Sequence, residues 1–142
     1  MENVKIYLSG GMCSVSMEEQ SKWRSQIINA IKYGEYDYEK KPIFCNPVDY
    51  YNFTEKRHKT EKEIVEFDLN AVRNSDLIIV NFNDPKSIGT AAELAIAYDM
   101  HIPIIGINKD KTELHPWLIE FTTRMCESIR EAVEYTVDFF LN

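Results

Sequence analysis

Residues 77–107 read LIIVNFNDPKSIGTAAELAIAYDMHIPIIGI. Leu77 to Phe82 is an apolar run of strand length, interrupted only by Asn81 near its end. Asn83 to Ser87 is a polar turn with a proline, and about Ile88 to Met100 has the length and composition of a helix. Pro103 to Ile107 is a second short apolar run. Two strands with consecutive apolar residues, rather than alternating ones, must be covered on both faces. A helix between them allows only a right-handed parallel crossover, so the stretch reads as a βαβ unit.

The flanks extend the same alternation. Val4 to Leu8 is a buried-strand run ending at Ser9-Gly10-Gly11. Ser16 and Glu19 have capping-box spacing before a helix carrying Trp23, Ile27 and Ile31. Gly34 to Lys41 is polar and reads as a loop; Pro42 to Cys45 is a brief strand closed by Asn46-Pro47. Asp49 to Lys59 has no period and reads as irregular. Thr60 and Glu63 open a helix to about Asn74. After the central unit come a short helix near Pro116 to Glu120, a possible strand near Phe121 to Met125, and a helix capped by Ser128 and Glu131 that ends near Phe140. The expectation is one α/β domain over residues 1–142, a three-layer sandwich on a mostly parallel sheet of four to five strands.

Composition narrows the function. The chain has 142 residues, 16 Lys+Arg against 23 Asp+Glu, and a formal net charge of −7. That balance argues against a grip on a nucleic-acid polymer, which needs a basic stripe. No run approaches the roughly 18 apolar residues of a membrane span, and the N-terminus makes a poor signal peptide. Cys13, Cys45 and Cys126 are odd in number and far apart, so neither a disulfide framework nor a zinc site is expected, and a reducing cytoplasm is the simplest compartment. His58, His101 and His115 lack metal-binding spacing. No metal is expected.

In open parallel sheets, ligands bind beyond the carboxyl ends of the strands. Three carboxylates stand out around that edge. Asp68 lies four residues from both Ile64 and Val72, on the expected inward stripe of its helix (Ile64, Val65, Ala71, Val72). A buried carboxylate is costly unless paired or used; a structural cap or a rotated stripe are the alternatives. Glu93 sits in an apolar helix after the strongest strand, although Thr90-x-x-Glu93 is itself a capping-box pattern. Asp84 follows the same strand in Asn83-Asp84-Pro85, where an ordinary turn would also explain it.

Ser87, Gly89 and Thr90 form a small-residue helix entry able to hold an anion or a hydroxyl. Ser9, Gly10 and Gly11 offer a second close backbone approach, but do not match GxGxxG, so a dinucleotide cofactor is not supported. Carboxylates converging on one crevice suit glycosidic-bond chemistry, with one attacking the anomeric carbon while an acid protonates the leaving group. Tyr7, near the end of the first strand, could orient the nucleophile or be an ordinary core aromatic. Cys13 is a weaker nucleophile candidate with no histidine placed to activate it. The charges from Lys56 to Lys62 mix signs and read as solvated.

KIYLSGGM and the block DLNAVRNSDLIIVNFNDPKSIGTAAELAIAYDMHIPIIGI resemble the nucleoside 2-deoxyribosyltransferase family. The ordered match is a Tyr in strand one, an Asp on the helix before strand three, Ser-Asp entering that strand, an Asp after it, then Gly-Thr-x-x-Glu-Leu. The resemblance implies a flavodoxin-like fold and cleavage of the N-glycosidic bond of 2′-deoxynucleosides, without a cofactor. Glu93 would be the nucleophile forming a deoxyribosyl-enzyme intermediate, Asp84 and Asp68 would bind the base and handle its proton, and Tyr7 would orient Glu93. Attack by a second nucleobase gives transfer; attack by water gives hydrolysis.

Relatives include 2′-deoxynucleoside 5′-monophosphate N-hydrolases. Many transferases carry an acidic residue where this chain has Ser87, and a serine beside helix N–H groups accepts a phosphate that an aspartate would repel. The implied partners are a small nucleoside, nucleotide or nucleobase, with a homo-oligomer as the assembly. The tail Phe139-Phe140-Leu141-Asn142 would complete a neighbour's site or pack on its own core. A non-catalytic nucleotide-binding module is the competing class; it has no need of a nucleophile. A phosphotransfer receiver on the same fold would need acidic residues where Ser9-Gly10-Gly11 stands.

Overall fold

The computed structural model describes residues 2–12, 15–50 and 58–142. Its elements are β1 (Asn3–Gly10), α1 (Met17–Tyr33), β2 (Lys41–Cys45), α2 (Pro47–Tyr50), α3 (Glu61–Arg73), β3 (Leu77–Asn81), α4 (Ile88–Asp99), β4 (Ile104–Ile107), α5 (Pro116–Phe121), β5 (Arg124–Cys126) and α6 (Ile129–Phe140). The sheet has five strands in the order β2-β1-β3-β4-β5. Every pairing is parallel. That order is the flavodoxin-like one, and its switch point lies between β1 and β3.

Two apolar clusters flank the sheet. Val4, Ile6 and Leu8 of β1 join Leu77 and Ile79 of β3 on the face covered by Trp23, Ile27 and Ile31 of α1 and Val133 and Val137 of α6. Tyr7, Ile78 and Val80 face Val72 of α3, Leu94 and Ala97 of α4 and Leu118 of α5. Successive strand side chains point to opposite faces, so this split follows from residue parity alone.

Helix starts follow their caps. Thr60 and Glu63 form the reciprocal capping box of α3. Ser16 caps α1 and Ser128 caps α6, each accepting from the backbone three residues on. In α6 the Glu131 carboxylate turns instead to the Glu127 N–H, at 3.0 Å.

Two expectations are corrected, and one alternative left open is decided. Asp49 and Tyr50 belong to the short helix α2, which Asn46 opens by accepting the Val48 N–H at 3.2 Å; residues 51–57 lie outside the described residues. The inward stripe of α3 is rotated. Val65 is 53% exposed whereas Val72 is fully buried, so the half-buried face runs through Ile64, Asp68 and Ala71. At the tail, Leu141 is buried in this chain's own core, and its carbonyl accepts from Glu39 and Lys40 N–H. Phe139 remains exposed.

No described helix is long and apolar enough to cross a membrane.

Candidate active site

The parity of β1 that sends Leu8 into one core sends Tyr7 and Ser9 to the other face, towards α4. There the Ser9 hydroxyl donates to Glu93 Oε1 at 3.3 Å. Tyr7 approaches the same carboxylate as a second donor. Oε2 is buried without a hydrogen-bond partner among the described residues. One carboxylate oxygen is therefore anchored, and the other is buried with no hydrogen bond among the described residues.

The capping-box alternative for Glu93 fails. Ser87 is the N-cap of α4, and its hydroxyl accepts from the Thr90 N–H at 3.2 Å. That leaves Glu93 beyond the first turn, where every backbone N–H already has a helical partner. The Thr90 hydroxyl is itself buried with no partner among the described residues.

Electrostatics mark the same cluster. Burial first, with the negative charge of Asp68 added, pushes the Glu93 carboxyl up from 4.5 to about 8; Tyr7, Ser9 and Arg24 oppose that rise. Burial also raises Tyr7, and the charges of Glu93 and Asp68 reinforce it, so its hydroxyl stays a proton donor throughout the working range. Asp68, half-buried on α3, thus shares one site with Glu93 and Tyr7.

Asp84 occupies the next loop, half-buried, with Oδ1 accepting the Lys86 N–H at 3.2 Å. Its Cβ is packed so closely on Gly11 that a Cβ at residue 11 would fall 2.5 Å away. Asn83 Oδ1 accepts the Gly11 N–H at 3.0 Å and ties the loops after β1 and β3 together. Gly10 and Gly11 are thus needed for close packing: a Cβ on Gly10 would meet Trp23 Cζ2 at 2.8 Å. Ser87 and Gly89 sit at the entry of α4, on the same edge of the sheet. Cys13 lies outside the described residues.

Sequence reasoning missed three contributors. Arg24 is fully buried on α1 and donates to the Leu8, Gly10 and Gln20 carbonyls. Gln20, also buried, donates to the Met12 and Val15 carbonyls at 2.5 and 2.6 Å and shapes the first loop. Both were visible as polar residues on the inward stripe of Trp23, Ile27 and Ile31. Cys45, beside Tyr7 in the sheet register, is coupled to Asp68 and Glu93 and paired with Tyr50. Burial raises its thiol pKa, so it is a poor nucleophile. The histidines stay out of this cluster; His115 caps α5 by accepting the Trp117 N–H at 3.2 Å.

Residues 3–111 match the profile of nucleoside 2-deoxyribosyltransferase-like proteins. The chain belongs to that family. Tyr7, Asp68, Asp84 and Glu93 all lie inside the matched span. No curated protein sequence matches significantly.

Solved structures share the family fold at low identity. A conserved protein from Enterococcus faecalis V583 superposes with a TM-score of 0.73 at 18% identity, covering 92% of this chain and 95% of its own. A 2-deoxyribosyltransferase from Bacillus psychrosaccharolyticus gives 0.70 at 15% identity, covering 93% and 92%. A CMP N-glycosidase from Clostridium botulinum gives 0.55 at 17% identity, covering 92% and 96%.

Proposed function

We propose that this family member cleaves the N-glycosidic bond of a 2′-deoxynucleoside through Glu93 and passes the deoxyribosyl group to another nucleobase. One observation carries the reading: Glu93 has one oxygen anchored on Ser9 and the other buried and unpartnered, beside a second carboxylate. A carboxylate used only for structure would have both oxygens satisfied. Family membership and the names borne by the structural relatives, deoxyribosyltransferase and N-glycosidase, support the same class of chemistry.

Glu93 Oε2 attacks C1′ of the sugar as the bond to the base nitrogen breaks, and that bond's electron pair leaves with the base. Asp68, in its acid form, protonates the departing base, with Asp84 holding it. Two nearby carboxyls favour one shared proton. In the free protein burial keeps it on Glu93; its passage to Asp68 on substrate binding frees the Glu93 carboxylate to attack and arms Asp68 as the acid. Tyr7 and Ser9 donate to Glu93 and fix its rotamer. A second base then attacks C1′, frees Glu93 and returns its proton to Asp68. With water as the attacker, the outcome is hydrolysis.

A second reading, hydrolysis of a 2′-deoxynucleoside 5′-monophosphate, is favoured by Ser87. It caps α4, whose first turn has no acidic residue, and unpaired helix N–H groups attract a phosphate. The proposal includes a homo-oligomer, with the exposed Phe139 as the tail residue able to reach a neighbour.

The test is incubation with a panel of deoxynucleosides and deoxynucleoside monophosphates, with and without an acceptor base. Product only with acceptor supports transfer, and base release without acceptor supports hydrolysis. An intact-mass adduct of one deoxyribosyl group, absent in Glu93→Gln, would identify the intermediate. Full activity in that variant would reject the reading.

A further inference from the structure

Arg24 is the largest fully buried side chain of the described residues, with no exposure to solvent. Burying a guanidinium is expensive, and an apolar residue of similar size is commonly as stable or more so. No carboxylate forms an ion pair with it among the described residues. Its hydrogen bonds all go to backbone carbonyls. Nε donates to Leu8 O at 3.3 Å and Nη2 to Gly10 O at 3.5 Å, on either side of Ser9. Nη1 donates to Gln20 O at 3.1 Å, and the guanidinium lies 4.6 Å from the Trp23 ring centroid. Ser9 is the residue whose hydroxyl holds Glu93.

We propose that Arg24 is a positioning residue for Glu93: it fixes the backbone on both sides of Ser9 and sets a buried positive charge behind the carboxylate. The inference rests on Glu93 being the nucleophile. Two consequences follow. The bracket keeps the Ser9 hydroxyl aimed at Oε1, which leaves Oε2 to face C1′. The charge favours the carboxylate both before attack and again when Glu93 departs from the sugar in the second step.

The groups facing Glu93 come from several elements. They are Tyr7 from β1, Cys45 from β2, Asp68 from α3 and Arg24 from α1. β4 carries no titratable side chain, and Glu120 of α5 lies with Tyr98 and His101, near the far end of α4. Among the described residues around Glu93, Arg24 alone is cationic. Its own pKa, lowered by burial to about 10, keeps it charged at neutral pH.

The experiment compares wild type, Arg24→Lys, Arg24→Gln and Ser9→Ala. The Glu93 carboxyl is titrated by NMR in 13C-glutamate-labelled protein, assigned with Glu93→Gln, and kcat/KM for base release is followed against pH. Arg24→Gln should move the Glu93 midpoint and the acid limb upward together, by about one pH unit. That is about a tenfold loss below the limb and a much smaller one above it. Arg24→Lys should keep the midpoint near wild type while kcat falls, because an ammonium supplies the charge without the two-sided bracket. Ser9→Ala should raise the midpoint at least as far, since its hydroxyl also favours the Glu93 carboxylate.

An unmoved midpoint in Arg24→Gln, or equal loss at every pH, overturns the proposal and leaves Arg24 merely structural. If Arg24→Gln does not fold, the midpoint of Arg24→Lys decides: a value displaced upward as far as one unit rejects the charge effect. The carboxyl titration needs no substrate. Failure of the catalytic reading would instead show as an active Glu93→Gln enzyme.

Discussion

Replacing Glu93 by glutamine tests the site through stability as well as rate. The folded chain holds this carboxyl at about 8 against an ordinary 4.5. Each pH unit between those values is worth about 1.4 kcal/mol of differential stability. The sign follows from proton counting. Between 4.5 and 8 the folded state keeps a proton that the unfolded state has lost, so stability falls as pH rises across that window. The penalty is nearly absent at pH 5 and complete above pH 8, where it reaches at most about 5 kcal/mol. Solvent at this half-buried residue screens part of it, leaving about 2–3 kcal/mol.

Glutamine has the same shape and no charge, so Glu93→Gln escapes the penalty. Thermal unfolding should then show the variant about 6–10 °C more stable than wild type at pH 8, and within about 2 °C at pH 5. Base release should fall by about 10³-fold or more in the same protein. A gain in stability paired with loss of function is the signature of a strained catalytic group. An equal difference in Tm at both pH values would refute the electrostatic argument, and retained activity would refute the assignment.

Three further outcomes are expected. Asp68→Asn should lower kcat about 10²-fold and move the acid limb of the pH profile downward, because a negative neighbour of Glu93 is gone; steady-state kinetics from pH 5 to 9 reads both. Gly11→Ala would put a Cβ 2.5 Å from Asp84 Cβ and push the two loops apart. It should cost about 1–3 kcal/mol in urea unfolding and at least about tenfold in kcat/KM, whereas Gly106→Ala, which meets Phe82 Cε2 at 2.8 Å inside the fold, should destabilise comparably and leave kcat/KM within about twofold. Ser87→Asp still caps α4 but brings a negative charge to its entry. If a 5′-phosphate binds there, activity on monophosphates should drop at least about tenfold relative to deoxynucleosides; an unchanged ratio would remove the phosphate from that position.

Much of this could be read before any coordinates. The apolar runs LIIVNF and PIIGI, with a helix between them, could be satisfied only by a parallel sheet covered on both faces. Ser16, Thr60 and Ser128 marked their helix starts through short-range hydrogen bonds between near neighbours in the chain. Glu93 and Asp68 stood out as carboxylates on faces that should be apolar. Where the reading slipped, the missing information was three-dimensional. The period of α3 puts Val65 on the inward stripe, but a helix's rotation is set by what it packs against, and Val65 is exposed. Thr90-x-x-Glu93 matched a capping box until Ser87 proved to be the cap.

Local chemistry thus determined the elements, their order and the candidate carboxylates, because period, caps and apolar runs act over a few residues. Only the tertiary structure decided which oxygen of Glu93 is anchored and which is free. That depends on Ser9, 84 positions away in the chain. It also decided that Arg24 lies beneath the site, since a buried cation is recognised by what surrounds it. Side-chain partners across a sheet follow from strand order and register, and those are set by the packing of the whole chain.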